Sequence, residues 1–583
     1  MILRALADYY ERMRSDPNCD VAPPGFEKKA IPFLLVINQQ GQLTNIRDTR
    51  TGEGKKKTAR EFMVPQGEKK TSGIKPNLLW DNSQYVLGSP KSDSEKDKKK
   101  AEDAFSAFRK RFDETFDESF QDEGINALRG FLSKGNFSPV FDYELWPEIK
   151  NSNANLSFLL EGESRLIAQR KSVIEHITER MKPIGKLQAC AVTGKKDVPV
   201  LLHTAIKGVW GAQSSGANIV SFNLEAFRSF GKKQGLNAPV GQHTEFAYTT
   251  ALNMLLAKGS RQRIQVGDAS TVFWARAEHP FEDDFSCFLG EPPKGKNPDY
   301  GRIRSLLKAV KTGVLPKEDD MPFYVLGLAP NASRIAIRFW YEGNVRDLKQ
   351  KIAQHFEDIE IVCAPHDRKF LSLFRLLLSI VPEKSDRKAD NIPPNLGGQL
   401  ARAVLAGTPY PRTLLSGAVR RCKAEQKITH ARAAIIKGFL VREARFRKST
   451  KKEVQMALDK TNTNIGYVLG RLFSVFERIQ EQAQTGLNKT IKDTYFSAAS
   501  SSPQVTFKRL HELAIHHLAK IRNSGQSTIW LEKLIQEVMD KVPAEGPPTT
   551  LALEDQGRFA IGYYHQRQDF FTKKEKDTKG DNI

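Results

Sequence analysis

Apolar and polar positions change rhythm along the chain, and the changes predict its elements. Near the start, IPFLLVI is an unbroken apolar run of strand length, and NQQGQ offers a turn before LTNIRDTR. A second extended run, TAREFMVP, follows TGEGKKK, so the first hundred residues are expected to be hairpins with basic tips. Lys55, Lys56 and Lys57 lie at one tip beside Gly52 and Gly54, and Lys69 and Lys70 at the next, in QGEKKTSG. SPKSDSEKDKKK, with mixed charge and no apolar residue but proline, is expected to be a linker. Beyond it Phe105, Phe108, Phe112, Phe116 and Phe120 recur every three or four positions. That spacing puts the rings on one helical face, which suits a core better than base stacking.

From about residue 150 to 380 the two periods mix. RLIAQRKSVIEHITERM reads as helix, whereas VPVLLH, STVFWARA and FYVLGL read as strands. In FYVLGLAPNASRIAIRFW a turn at Pro330-Asn331 joins two runs. Alternation then places Arg334, Arg338 and Trp340 on one face and Ile335, Ile337 and Phe339 on the other. A basic, aromatic strand face suits a nucleic-acid backbone, although two arginines on a surface face are also ordinary. EKSDRKADNIPPNLGG, residues 383–398, marks a boundary, and nearly everything after it is helical in period. Arg420, Arg421, Arg432, Arg442, Arg445, Arg447 and Lys448 make the next stretch strongly cationic. NIGYVLGRLFSVFERIQ, VTFKRLHELAIHHLAKI, STIWLEKLIQEVMDKV and DQGRFAIGYYHQRQDFF fit an antiparallel bundle. The expected architecture is therefore α+β and multidomain, with a mixed α/β region over 1–390, a basic helical connector over 391–455 and a helical bundle over 456–583.

Composition narrows the partner. Lys and Arg outnumber Asp and Glu by 90 to 68 in 583 residues, a formal net charge of +22. Such an excess points to a polyanion, nucleic acid before an acidic membrane surface. Cys19, Cys190, Cys287, Cys363 and Cys422 stand far apart with no CxxC pair, as free thiols of a reducing compartment would. No apolar run reaches membrane-spanning length and the N-terminus lacks a secretory pattern, so no membrane partner and a cytoplasmic location are expected.

Signatures of catalysis are sparse. GKK at 194–196 is no phosphate-binding loop, because Ala189 replaces the first glycine and Lys196 the hydroxyl residue. Glu282, Asp283 and Asp284 in HPFEDDF could join His279 at a metal, as a metal-dependent nuclease requires, but adjacent acids project in different directions. His516 and His517 are badly placed on a helix to share a metal. No cofactor and no metal is expected.

GVWGAQSSGANIVSFN at 208–223, then GLNAPV and AYTTALNMLL, together with TSGIKPNLLWDNSQYVLG, FYVLGLAPNASRIAIRFW and GRFAIGYYHQRQ, resemble the large subunit of type I-C CRISPR Cascade surveillance complexes, the Csd family. The resemblance runs from Met1 to about residue 571. It implies a non-catalytic subunit that recognises a short protospacer-adjacent motif in duplex DNA, promotes strand separation and R-loop formation, and positions the displaced strand for a recruited helicase-nuclease. The implied partners are the Cascade subunits that carry the CRISPR RNA, the target duplex and its displaced strand, and a small subunit made from an internal start, here at Met456. A metal-dependent nuclease and a general RNA-binding scaffold remain as alternatives.

Within that reading, the uncharged run has a use. A loop approaching base edges wants glycine for access, and amides and hydroxyls that both donate and accept. Gln213, Ser214, Ser215, Asn218 and Asn223 offer this, whereas lysine only donates. Thr71, Ser72 and Asn77 in TSGIKPNLLWDN are second candidates for motif reading, although Pro76 and Trp80 suggest a packed turn there. Lys55, Lys56, Lys57, Lys69, Lys70, Lys75, Arg334, Arg338, Arg471 and Arg478 are the candidates for phosphate contact.

Overall fold

The apolar run at the start becomes the centre of a sheet. A computed structural model of the chain describes residues 2–571, apart from 18, 20, 53–56, 69–72, 136, 181–184, 291–299, 386–387 and 450–453. In chain order the first strands are β1 (Phe26–Ala30), β2 (Phe33–Ile37), β3 (Leu43–Asp48), β4 (Glu61–Pro65), β5 (Trp80–Asn82) and β6 (Asn155–Leu160). All of β2 is buried, as an unbroken apolar run requires. The sheet order is β3-β2-β6-β5, with β2 and β6 parallel, while β1 and β4 form a separate antiparallel pair. The hairpin of β2 and β3 follows the sequence reading. EFMVP does not extend it, because β4 pairs with β1 instead, so the two lysine-rich tips do not belong to one hairpin.

Local chemistry also shortens the expected linker. Ser94 accepts a hydrogen bond from the Asp97 N–H, and Glu95 and Asp97 sit in the first turn of a helix over Glu95–Thr115. A capping hydroxyl and early acids start a helix even in a run of lysines. Phe108, Phe112 and Phe116 are buried in one core with β2 and β6, as their spacing predicts. VPVLLH is not a strand: Pro199 makes an isolated bridge to Gly241, and Leu201 and Leu202 are exposed. Two short strands, β7 (Gln188–Ala189) and β8 (Lys196–Asp197), flank the GKK turn.

Two units result, Leu3–Thr204 with Phe222–Ala251, and Ala205–Ser221 with Leu252 onward. The second contains an antiparallel meander of β9 (Arg263–Val266), β10 (Ala269–Ala275), β11 (Pro322–Asn331) and β12 (Arg334–Asn344). Asn331 pairs with Arg334, so Ala332 and Ser333 make the turn, one step later than expected, and Ala332 takes φ 51°. Helices follow over Val345–Ile359, Leu373–Ser379, Leu396–Ala406, Arg412–Glu425 and His430–Phe446. The terminal set covers Ile465–Ala483, Ile491–Ser501, Pro503–Asn523, Ile529–Met539 and Leu553–Phe571.

One apolar core runs from Ile264 on β9 to Tyr564 on the last helix. The borders expected near 390 and 456 therefore fall inside the second unit. Gly470 shows how tightly its helices meet, since a Cβ there would lie 2.0 Å from the Phe559 carbonyl oxygen. The whole is an α+β multidomain protein.

Candidate nucleic-acid interface

The uncharged loop is built on the sheet of the second unit. Ile206 and Ala217 close its base by exchanging N–H···O bonds of 2.8 and 2.9 Å, and the Gly216 N–H reaches the Gln213 carbonyl at 2.9 Å. Ser214 and Ser215 thus form the tip of a tight turn. Gly216 leaves that turn at φ 93°, where a Cβ would meet the Ile206 carbonyl oxygen at 2.8 Å. Main-chain anchors hold the rest: Trp210 N–H donates to Ser270 Oγ at 2.9 Å, and Lys207 N–H to Asn253 Oδ1 at 2.8 Å.

The backbone is therefore satisfied without the tip's own side chains. Gln213, Ser214 and Ser215 are exposed and make no side-chain hydrogen bond among the described residues. The alternation expected after them does not become a strand. Instead the Asn218 carbonyl accepts from the Ile335 N–H at 3.0 Å, bridging in parallel to Arg334 at the start of β12. The structure so brings Asn218 and Arg334 together beside the tip. Asn223 is exposed in the other unit.

The basic face of β12 is less regular than its sequence. A bulge opposite Gly327 and Leu328 pairs Leu328 with Ile337 and Gly327 with Phe339, leaving Arg338 as the extra residue. Ile337 is consequently exposed while Ile335 and Phe339 are buried, against simple alternation. Arg338 is held by Asp268, with Nη2 at 2.8 Å and Nε at 3.0 Å from Oδ2. Trp340 stacks on Tyr324 at 5.6 Å and lies 5.8 Å from the buried Trp274, so its ring is engaged in packing.

Elsewhere burial separates structural from available groups. Lys57 and Lys75 are exposed. Lys55, Lys56, Lys69, Lys70, Thr71 and Ser72 lie outside the described residues. Asn77 is corrected as a reader: it is buried, its Oδ1 accepts from the Glu68 N–H and its own N–H donates to Asp81. Arg471 is corrected too. Its side chain is fully buried, with Nε bonded to Gln566 at 3.0 Å and Nη2 to Glu537 at 2.9 Å. That guanidinium lowers the Glu537 pKa against the effect of burial.

Arg478 is half-exposed and 3.7 Å from Glu481. It lines a 500 Å³ pocket with Lys460, Lys533 and Trp530. The cationic run of 420–448 is partly spent inside: Arg442 reaches Asp358 at 3.0 Å and two carbonyls, and Arg432 reaches Ser379, Lys427 and Glu425.

The acids of HPFEDDF already have partners. Glu282 Oε1 accepts from the Ala275 N–H at 2.7 Å and from Gln262 at 3.1 Å, Asp284 pairs with Arg302, and Asp283 lies 3.7 Å from Arg261. His279 is buried, which lowers its pKa, and it faces Asp319, itself bound by Lys349. Among the described residues no three His, Cys, Asp or Glu side chains are grouped to hold a metal, and no helix is long and apolar enough to cross a membrane.

Sequence reasoning missed a cavity of 670 Å³ in the first unit, lined by Gln66, Lys75, Arg111, Arg180 and His243. Its cations come from distant segments, so no local pattern announces it. Comparison with known families gives one finding: residues 6–571 match the family described as CRISPR-associated protein (Cas_Csd1). A comparison with curated proteins gave no match.

Proposed function

The chain belongs to the Csd family of CRISPR-associated proteins, subunits of type I-C Cascade assemblies, and from that premise we propose that it is the assembly's non-catalytic reader of duplex DNA. In this reading it recognises the protospacer-adjacent motif, promotes strand separation and R-loop formation, and presents the displaced strand to a helicase-nuclease. The tip of Gln213, Ser214 and Ser215 carries the proposal: its backbone is satisfied by main-chain bonds, and its donor and acceptor side chains are exposed. Base edges are read by such groups, while phosphate contacts fix register. Arg334 beside Asn218, together with Lys57 and Lys75, supplies the phosphate contacts.

Competition between duplexes that differ only in the flanking motif tests the reading, with the complex assembled on its CRISPR RNA. Preference for one motif supports it, and equal binding of all duplexes or a preference for RNA overturns it. Incubation of the chain with DNA and magnesium or manganese tests the absence of catalysis. Cutting that disappears in Glu282→Gln or Asp283→Asn variants would establish the nuclease instead.

The same reading includes a free small subunit translated from Met456. That residue is exposed and precedes the terminal helices, whose Leu469, Leu472, Phe473 and Phe476 are buried together. Changing its codon to a non-initiating one should abolish a short product made from the native gene. A short product that persists, or that never forms, rejects the internal start.

A further inference from the structure

Phe230 is an apolar ring left almost wholly in solvent, at 95% exposure. It sits in the first unit at the tip of FRSFGKKQG, a few residues beyond Asn223. Its backbone is left-handed, φ 52°, and Gly231 follows at φ 69°. The Lys232 N–H bonds to the Ser229 carbonyl at 3.0 Å, which closes a turn whose two central residues both have positive φ. Glycine and asparagine favour such turns, and a bulky side chain there is strained.

The strain is held in place by Asn237. Its Oδ1 accepts from the Ser229 N–H at 2.9 Å, and its Nδ2 reaches the carbonyls of Lys232 and Gln234 at 3.2 and 2.8 Å. The Gly235 N–H ties the same loop to the Leu201 carbonyl at 3.0 Å. A loop fastened at its base thus forces an aromatic ring outward on a conformation it disfavours, a cost that persists where the position has a use. The flanks are cationic: Lys232 and Lys233 are exposed on one side, and Arg228, ion-paired with Glu225, on the other.

Lysine is depleted at protein–protein interfaces, whereas apolar wedges flanked by basic residues enter the base stack of duplex DNA. We propose that Phe230 is a wedge that inserts between base pairs of the target duplex where its strands first part, with Lys232, Lys233 and Arg228 on the adjoining phosphates. The inference rests on the duplex-reading function proposed above and adds the element that opens the duplex.

The test uses the complex assembled on its CRISPR RNA and a matched duplex with 2-aminopurine at the first protospacer positions, whose fluorescence rises on unstacking. Phe230→Ala and Phe230→Gly should slow opening at least about tenfold, the loss of a wedge that offsets unstacking. Phe230→Trp should keep most of the rate. A duplex already mismatched at those positions should open equally with all the variants. The glycine variant should also melt at or above the wild-type temperature, because it relieves the left-handed strain. Opening at the wild-type rate without the ring, an equal defect on the mismatched duplex, or failure of the variant to assemble would overturn the wedge, the last assigning Phe230 to a subunit contact. A wild-type complex that does not bind the matched duplex overturns the function proposed above and the wedge with it. Normal opening by Phe230→Ala in an otherwise motif-selective complex overturns the wedge alone.

Discussion

Gln213 and Arg442 show why a polar or charged residue does not by itself mark a binding site. The first belongs to a tip whose main chain meets its own needs, so its amide is exposed without a partner. Replacing Gln213, Ser214 or Asn218 with Ala should cost about 1–3 kcal/mol of discrimination wherever a paired base contact is lost, and leave non-specific affinity nearly unchanged. Binding competition between correct and incorrect flanking motifs measures this. Full discrimination in all three folded variants would make the loop structural. Arg442 is the opposite case, buried across the Tyr410 ring at 4.6 Å and neutralised by Asp358. Asp358→Asn should strand that charge and destabilise the second unit by about 3 kcal/mol or more, since half of a buried pair is costly alone. Denaturant unfolding reads the loss. A shift under about 1 kcal/mol would mean that the site relaxes to admit water.

Elements were legible where a long period left one solution. The terminal helices follow their apolar spacing nearly to the residue, and five phenylalanines announced a buried face that the structure fills with Phe108, Phe112 and Phe116. VPVLLH misled because a six-residue apolar run fits strand and irregular core equally. β4 was recognisable as a strand, but its partner β1 was not, since pairing depends on contacts distant in sequence. The bulge at Arg338 likewise follows from how β11 meets β12 and from nothing within β12.

Two helices carry a further consequence. His355, on Val345–Ile359, and His565, on Leu553–Phe571, are buried against Tyr410 and Tyr467, and desolvation lowers both pKa values to about 3. Unfolded, each imidazole takes a proton near 6.5. Between those values the unfolded chain binds protons that the native chain does not, so stability holds above about 6.5 and falls as pH drops toward 3. Melting temperature measured from about pH 7.5 down to about pH 5 should decline below 6.5, and less steeply in His565→Gln. A level profile would show that neither histidine remains neutral in the native fold.

At the scale of the molecule, +22 was the most informative number in the sequence and also the one most easily over-read. It pointed correctly to a protein of the CRISPR machinery, yet Arg432, Arg442 and Arg471 are buried and contribute internal bonds, not an external field. The cations that meet DNA are therefore fewer than the formal charge implies, and salt dependence counts them. The logarithm of affinity falls with the logarithm of salt by about 0.9 for each phosphate neutralised in a duplex. Lys55, Lys56 and Lys57 follow Gly52 and Gly54 in a run whose described end, Lys57, is exposed. Changing all three to Ala should flatten the salt slope by about two to three and weaken correct and incorrect duplexes alike, because phosphates carry no sequence information. Binding measured from about 50 to about 200 mM salt decides it. An unchanged slope would remove these lysines from the interface. A loss confined to one flanking motif would move them from phosphate binding to base reading, and Gln213 would no longer be the leading candidate for that role.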